Sequence, residues 1–248
     1  MPERTGDSVR AHSLSRSKII SAALKMVDEE GLNALSFRSL GKRLGVSQTA
    51  FYRHVPDKAA LLDGVSEEIW REVLEGFPGK TTNKDGTAVG WREIMRDYAR
   101  ALHDALLAHP NAVELVLTHP ISTPGQFSLI AKALSAFDSA QLVHPDDMLA
   151  LITVVTVYTT GFSAAEVAPP AGGEAGRPSS GFDEALPLMA RDDRQALEAL
   201  VGQVMIGQWN LSEQFEVGLE AMLGGWGNRR NAAARSPEGI SERAGACG

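Results

Sequence analysis

Residues 45–56, GVSQTAFYRHVP, restrict the fold of this chain more than any other stretch. Gly45 favours a turn and Pro56 ends a helix, so the segment between them has room for barely two helical turns. A helix this short is unstable alone, because nucleation costs more than so few hydrogen bonds return. It needs neighbouring helices, and a helix followed by a glycine-containing turn and a short capped helix is a helix-turn-helix.

Helical periodicity continues along nearly the whole chain, and the alternation typical of strands does not persist. The pattern therefore predicts an all-α fold. The expected N-caps are Ser36, Ser47 and Asp57, and the expected helix ends are Gly31 and Gly45. The expected helices cover residues 16–30, 37–44, 47–54, 57–75, 89–108, 112–118, 124–140, 146–167, 182–200 and 203–224.

Loop-forming residues divide the chain into domains. The stretch FPGKTTNKDG, residues 77–86, marks the expected boundary between two helical domains. The Pro/Gly/Ser-rich segment 168–181 is expected to be a mobile linker inside the second domain. The predicted organisation is a disordered arm at 1–13, a helix-turn-helix domain at 14–76, a larger helical domain at 77–228 and a flexible tail at 229–248.

Charge is divided unevenly along the chain. The formal net charge is −7, but residues 1–60 carry +4 and the remainder carries −11. A basic head on an acidic body suits local contact with phosphates.

Cysteine usage and apolar runs indicate the compartment. The only cysteine, Cys247, cannot form an intramolecular disulfide, and the N-terminus lacks the apolar stretch of a signal peptide. The most apolar run, 149–158, is shorter than the roughly 20 residues that span a bilayer. We therefore expect a cytoplasmic protein without a membrane span.

The short third helix has a polar face suited to the major groove of DNA. Helical geometry turns Phe51 inward, whereas Gln48, Thr49, Tyr52 and Arg53 share the outward face. Gln pairs well with adenine, Arg with guanine, and Thr contacts the thymine methyl group. The same periodicity also fits a small helical bundle with a polar outer face and no nucleic acid.

Other polar side chains near this helix are expected to contact phosphates. Tyr52, His54 and Lys58 are placed for this role, and Ser36 and Arg38 lie at the start of the second helix. Such contacts position a protein on DNA without selecting a sequence.

Residues 35–65, LSFRSLGKRLGVSQTAFYRHVPDKAALLDGV, resemble the DNA-binding domain of the TetR family of repressors. Tyr52, His54, Val55 and Lys58 stand in register with that family's Tyr-x-His-Val motif and its later Lys. Thr49 and Arg53 replace a Pro and an aromatic of the tetracycline repressor, so a different operator is expected. Together with the outward face, the resemblance implies DNA contacts from Ser36, Arg38, Ser47, Gln48, Thr49, Ala50, Tyr52, Arg53, His54 and Lys58.

The larger domain resembles the same family more weakly, over 89–167 and 182–224. In that family this domain binds a small effector and dimerises. The resemblance implies that the helices around 149–162 and 208–223 form the dimer seam, although both also fit a monomer core. The expected interface residues are Leu151, Val155, Trp209, Phe215 and Leu219. The expected effector pocket is lined by Leu74, Trp91, Tyr98, His103, Leu115, Phe127, Phe137, Tyr158 and Phe162.

Two leucines affect the expected effector. Leu74 and Leu115 stand where the tetracycline repressor has histidines that contact its drug and hold its metal. Leucine neither ligates a hard cation nor hydrogen-bonds a polar ligand. We therefore expect a largely apolar effector, with His103 or Asp97 as a polar contact, and not a magnesium–tetracycline complex.

No enzyme or metal site is expected. His103 and His109 are six residues apart and fall on different helix faces, and His119 and His144 complete no ligand pattern. A glycine-rich phosphate loop and a G-x-S-x-G sequence are missing. We expect no catalytic residues, no metal and no cofactor.

These observations predict a repressor that binds a pseudo-palindromic operator in double-stranded DNA as a homodimer and is released by a small-molecule effector. Two alternatives remain open from the sequence. One is an effector-responsive activator, and the other is a DNA-binding regulator controlled by a protein partner.

Overall fold

The computed structural model describes residues 14–77, 89–119, 123–138, 145–167, 186–195, 198 and 211–234. These residues form α-helices joined by short 3₁₀ turns, with no strand among them, which confirms the all-α prediction. The helices are α1 Arg16–Glu30, α2 Phe37–Leu44, α3 Lys58–Gly76, α4 Trp91–Ala108, α5 Val113–Thr118, α6 Pro124–Asp138, α7 Pro145–Val167 and α8 Leu211–Ala234.

The expected helix over 182–200 and the C-terminal tail show the main differences in element bounds. Within 182–200 the structure has a 3₁₀ turn at Leu186–Leu188 and helical residues at 191–195. α8 continues to Ala234, so it enters the segment that was expected to be a tail from residue 229. The expected arm at 1–13 and the expected linker at 168–181 lie outside the described residues.

The chain packs into two compact units that do not follow chain order. Unit 1 consists of Met1–Glu72 and His109–Leu129, and unit 2 of Val73–Ala108 and Ile130–Gly248. Unit 1 therefore includes a segment that lies beyond the sequence boundary at 77–86. α3 and α6 each contribute residues to both units.

Local caps define the helices of unit 1. The Ser36 hydroxyl accepts from the backbone N–H of Ser39, and the Ser39 hydroxyl accepts in return from that of Ser36, forming a reciprocal capping box. Asp57 Oδ1 accepts from the backbone N–H of Ala60 at 2.8 Å. Gly45 ends α2 in the left-handed conformation at φ 67°. These three predicted helix boundaries are confirmed.

The core of unit 1 is built from apolar faces that meet closely. Ile20, Leu24 and Val27 of α1 are buried, in agreement with the helical stripe in the sequence. α1 and α3 approach at Gly64, where an added Cβ would lie 2.3 Å from Ile20 Cδ1. A larger residue at this crossing would have to displace the buried Ile20 side chain.

The core of unit 2 is formed by α4, α7 and α8. Leu102 and Leu106 of α4 are fully buried, as are Leu219 and Leu223 of α8. Among the described residues one helical stretch, Asp147–Val167, is long and apolar enough to cross a membrane by length and composition.

Candidate DNA-reading face and effector site

Residues 47–54, called the recognition segment below, form a tighter turn than the α-helix expected from the sequence. Gln48–Ala50 is a 3₁₀ turn, in which the backbone N–H of Phe51 donates to the carbonyl of Gln48 at 3.2 Å. Residues 51–54 continue as a turn. The segment is too short to propagate an α-helix before Pro56 intervenes.

The side chain of Ser47 does not cap this segment, which corrects the expectation from the sequence. Its hydroxyl lies 2.9 Å from the Thr49 hydroxyl, while its backbone carbonyl accepts from the N–H of Ala50 at 3.0 Å. The two hydroxyls therefore bond each other on the outer side of the segment.

The recognition segment separates apolar and polar side chains as helical geometry predicted. Phe51 and Val55 are 0% and 1% exposed. The exposed members of the predicted DNA-contact set are Arg38, Ser47, Gln48, Thr49, Tyr52, Arg53 and Lys58, and the half-buried members are Ser36, Ala50 and His54. The Ser36 hydroxyl is already engaged with Ser39, which makes it a structural cap first.

An aromatic contact supports the exposed Tyr52, and sequence reasoning did not identify it. Phe37 stacks on the buried Phe51 with ring centroids 5.6 Å apart, and the Tyr52 ring lies 5.5 Å from that of Phe37. Tyr52 is 54% exposed, so about half of the residue remains accessible although its ring contacts Phe37.

In unit 2, four residues of α7 form a polar stripe: Thr156, Thr159, Ser163 and Glu166. Their spacing of three, four and three residues places them on one helix face. The Thr159 and Ser163 hydroxyls are fully buried, and neither has a hydrogen-bond partner among the described residues. A buried hydroxyl without a partner is costly, so this stripe is a candidate site for a ligand's polar groups.

α4 faces the two ends of the polar stripe. Tyr98 Oη lies 2.7 Å from Thr156 Oγ1 at one end, and His103 Nε2 contacts Glu166 Oε2 at the other. Burial raises the pKa of Tyr98 to about 12, and its hydrogen bond with Thr156 does not offset this. Tyr98 is therefore a neutral phenol at physiological pH and can both donate and accept.

Aromatic rings enclose the His103 end of the stripe. The Phe215 ring stacks on His103 at 4.1 Å and lies 5.6 Å from both Tyr158 and Phe162. Ser212 Oγ donates to Glu166 Oε1 at 2.8 Å. The structure thus brings three expected pocket residues, His103, Tyr158 and Phe162, together with Phe215. From the sequence, Phe215 is expected at the dimer interface.

Two protein-family models match most of the chain. Residues 19–65 match the family model for bacterial regulatory proteins of the tetR family, and residues 83–229 match the tetracyclin repressor-like C-terminal domain. The chain belongs to the TetR family. It is a transcriptional regulator with a helix-turn-helix DNA-binding domain and a ligand-binding domain, and not an enzyme.

Individual TetR-family relatives cover the chain to different extents. An HTH-type transcriptional regulator of Saccharopolyspora erythraea is 31% identical over 161 residues, which span 62% of this chain and 61% of that protein. The class D tetracycline repressor protein of Escherichia coli is 28% identical over 85% of this chain and 93% of its own. The crystal structure of a possible TetR-family regulator from Streptomyces coelicolor A3(2) superposes with a TM-score of 0.64 at 26% identity, covering 85% of this chain and 98% of that one.

The remaining expected pocket residues of this TetR-family chain belong to different units. Leu74 and Trp91 are half-buried in unit 2, whereas Leu115 is fully buried in unit 1. Phe127, also in unit 1, is 57% exposed. The side chain of Phe137 lies outside the described residues.

Four of the five expected dimer-interface residues are buried within unit 2. Leu151, Val155, Phe215 and Leu219 are at most 1% exposed, so they have no surface left to bury against a partner. They are core residues of unit 2. The apolar side chains that the same helices expose are Leu149 at 66%, Val157 at 65% and Val217 at 63%. Trp209 lies outside the described residues.

The histidines considered as metal ligands have other contacts. His109 bonds two carboxylates, and His119 Nδ1 lies 3.4 Å from the Thr118 hydroxyl. His144 lies outside the described residues. In the part of the chain that the structure describes, no group of three or more His, Cys, Asp or Glu residues is arranged to hold a metal.

Proposed function

We propose that this chain is a cytoplasmic repressor that binds a pseudo-palindromic operator as a homodimer and is released by a small molecule. The observation that carries the proposal is the recognition segment, where Phe51 anchors a turn that exposes Gln48, Thr49 and Arg53. In the proposed complex Gln48 and Arg38 contact bases, whereas Tyr52 and Lys58 contact phosphates.

Matched substitutions on the recognition face test the DNA-binding roles. Gln48→Ala removes a base contact worth roughly 1–3 kcal/mol of discrimination, so it should change the preference among operator variants. Lys58→Ala removes a phosphate contact, so it should weaken all sites alike and lower the salt slope by about one per subunit. The measurement is binding to duplexes that the wild-type protein selects from DNA flanking its own gene. Unchanged relative affinities in Gln48→Ala would show that the face is wrongly assigned.

The exposed apolar residues of α7 and α8 support dimerisation. The Asp147–Val167 stretch is long and apolar, yet only 28% of its most apolar 18-residue window is buried within the chain. Its exposed Leu149 and Val157 and the exposed Val217 of α8 favour burial against a second copy. Two-fold pairing would then place two recognition segments on successive major grooves, about 34–36 Å apart.

Sedimentation tests this interface. Val157→Glu places a charge on the proposed seam and should yield a monomer at micromolar concentration, with operator binding lost. Leu188→Glu is the matched control, because Leu188 is 87% exposed on a 3₁₀ turn away from α7 and α8 in the sequence. A wild-type monomer with full operator affinity would contradict the dimer.

The polar stripe suggests the chemistry of the effector. We expect a largely apolar molecule with at least one hydrogen-bonding group, which satisfies the hydroxyls of Thr159 and Ser163. Thr159→Val keeps the side-chain shape but removes the hydroxyl, so it should weaken the binding of the effector. Thr160→Val is the control, since Thr160 Oγ1 donates to the Thr156 carbonyl at 2.8 Å and is already satisfied. Magnesium-dependent tetracycline binding in calorimetry would contradict the expected effector class.

The continuity of α3 offers a route for release. α3 begins just after the recognition segment and ends at Gly76, where an added Cβ would lie 3.7 Å from the Ala101 Cβ of α4. A rigid helix passes a displacement at one end to the other, and a dimer matched to a fixed spacing loses affinity when that spacing changes. Ala101→Trp should therefore weaken operator binding without effector, whereas Ala101→Ser should not.

A further inference from the structure

His109 occupies an unusual position immediately after α4. Its Nδ1 lies 3.0 and 3.1 Å from the two carboxylate oxygens of Asp28, near the end of α1. Its Nε2 lies 2.9 Å from Glu72 Oε2, on α3. The imidazole side chain is only 13% exposed. The His109 ring therefore joins α1 and α3 through Asp28 and Glu72, which are 44 residues apart along the chain.

The contacts fit a protonated ring. An ionised carboxylate only accepts hydrogen bonds, and a neutral imidazole has one N–H, which leaves the other nitrogen lone pair against a carboxylate. The imidazolium has two N–H groups and donates to both Asp28 and Glu72. Desolvation lowers the pKa of His109, but the hydrogen bonds to Glu72 and Asp28 outweigh it, and the pKa is raised above its ordinary value.

The surroundings of His109 define which charges act on it. Asp28 from α1 and Glu72 from α3 are the charged side chains that the described residues place against the ring. On its own segment, Asn111 is uncharged and donates to the Asp28 backbone carbonyl at 3.0 Å. Both charged groups are anionic, so each favours the imidazolium.

α3 begins just after the recognition segment, and α1 packs against α2, whose Phe37 stacks on Phe51 of that segment. α1 and α3 are also linked at their close crossing, where Gly64 meets Ile20, and by the Arg16–Glu67 ion pair at 3.0 Å. His109 adds a link near the end of α1, far along the helix from Arg16. A single crossing leaves α1 free to rotate against α3. The second link through His109, at a separate point along α1, restricts that rotation.

We propose that His109 is a positioning residue, whose imidazolium fixes α1 against α3 and thereby holds the recognition segment in its DNA-binding arrangement. The proposal rests on the proposed operator binding. A group with a raised folded pKa stabilises the fold fully below its unfolded pKa of about 6.5, and that stabilisation is lost as pH rises through the folded value. Operator affinity should therefore fall on the alkaline side.

The experiment compares wild type with His109→Gln, His109→Arg and the control His119→Gln, which lies in the same unit. The probe is a duplex that the wild-type protein selects from a randomised pool, titrated at constant ionic strength from pH about 6 to about 9. Between pH about 6 and about 9, wild type and His119→Gln should lose about fivefold or more in affinity for the duplex. His109→Gln should bind weakly at every pH. His109→Arg keeps its charge, so it should bind tightly with a flatter pH profile.

Each outcome decides the proposal. If His109→Gln or His109→Arg follows the wild-type profile, the pH dependence comes from another group, and the proposal is wrong. Thermal unfolding without DNA provides a second readout, since the wild-type midpoint should fall relative to His109→Arg as pH rises. If no duplex is selected but this midpoint difference appears, the operator function has failed while the His109 link stands. If duplexes are selected and the midpoints coincide, the link itself is refuted.

Discussion

Unit 1 and unit 2 are both packed helical bodies, but they place their polar groups differently. Among the described residues, the buried polar side chains of unit 1 are Ser66 and Gln126, which bond each other at 3.4 Å. Unit 2 buries four: His103, Thr159, Thr160 and Ser163. The hydroxyls of Thr159 and Ser163 lack partners there.

This difference corresponds to two kinds of recognition. DNA is a large surface, so a protein that binds it needs polar groups outside a firm apolar core, as unit 1 has around Phe51. A small molecule is enclosed, so its site needs a few polar groups inside, as unit 2 has along α7. The buried hydroxyls without partners therefore lower the folding stability of unit 2.

Removing one large aromatic from each core is the strongest test of this comparison. Phe51→Ala should lower the free energy of unfolding by about 3–5 kcal/mol and abolish DNA binding, because the cavity is apolar and stays empty. Phe215→Ala should lower the free energy of unfolding by less, because its cavity borders the polar ring of His103 and can admit water. Urea unfolding with hydrogen exchange in each unit would measure this. A larger cost for Phe215→Ala would refute the contrast.

Adding one methyl group at each close helix contact gives a smaller effect. Gly64→Ala should destabilise by about 1–3 kcal/mol, because its Cβ meets the buried Ile20 at 2.3 Å. The added Cβ of Gly218→Ala would lie 2.2 Å from the Tyr158 hydroxyl, and this half-buried ring can shift only by giving up its hydrogen bond to the Phe215 carbonyl. Gly218→Ala should therefore cost about 1 kcal/mol, less than Gly64→Ala. Thermal unfolding of both variants provides the comparison, and an equal loss would mean that unit 2 is packed as rigidly as unit 1.

Removing an unsatisfied hydroxyl should stabilise unit 2. Thr159→Val should raise the free energy of unfolding by about 1 kcal/mol, since it replaces a buried hydroxyl without a partner by a methyl group. Thr160→Val removes a satisfied hydroxyl and should bring no gain. Chemical denaturation without effector measures both. If Thr159→Val destabilises, its hydroxyl has a partner in the free protein, and the polar stripe is not a vacant ligand contact.

Ion pairs on the surface of unit 2 should matter least. Arg100 and Arg96 of α4 pair with Glu216 and Glu220 of α8, and hydrogen bonds from these arginines lower the pKa of both carboxyls. A depressed folded pKa contributes stability above the unfolded value of about 4.3, and this is lost as pH falls through the folded value.

The expected size of that loss is small, because the pairs are largely solvent-exposed. Glu216→Gln should cost less than about 1 kcal/mol at neutral pH and reduce the acid sensitivity of unfolding between pH about 5 and about 3. Acid unfolding followed by circular dichroism compares it with wild type. A loss as large as that of Phe51→Ala would show that surface charge, and not core packing, stabilises unit 2.

The sequence by itself determined the features that depend on near neighbours in the chain. The caps at Ser36 and Asp57, the turn at Gly45 and the inward Phe51 involve residues within about one helical turn, and the structure has all of them. The Tyr-x-His-Val motif identified the family from a similarly short segment. The exact type of the recognition turn was missed, since a segment this short takes its winding from its neighbours.

Tertiary structure alone decided which faces of α7 and α8 are buried. Residues 149–158 of α7 are mostly apolar, so periodicity does not distinguish the buried Val155 from the exposed Val157. The same holds for His109, whose partners Asp28 and Glu72 lie 81 and 37 residues away in the chain. Contacts between distant segments depend on how whole helices pack, and local sequence patterns carry no information about that choice.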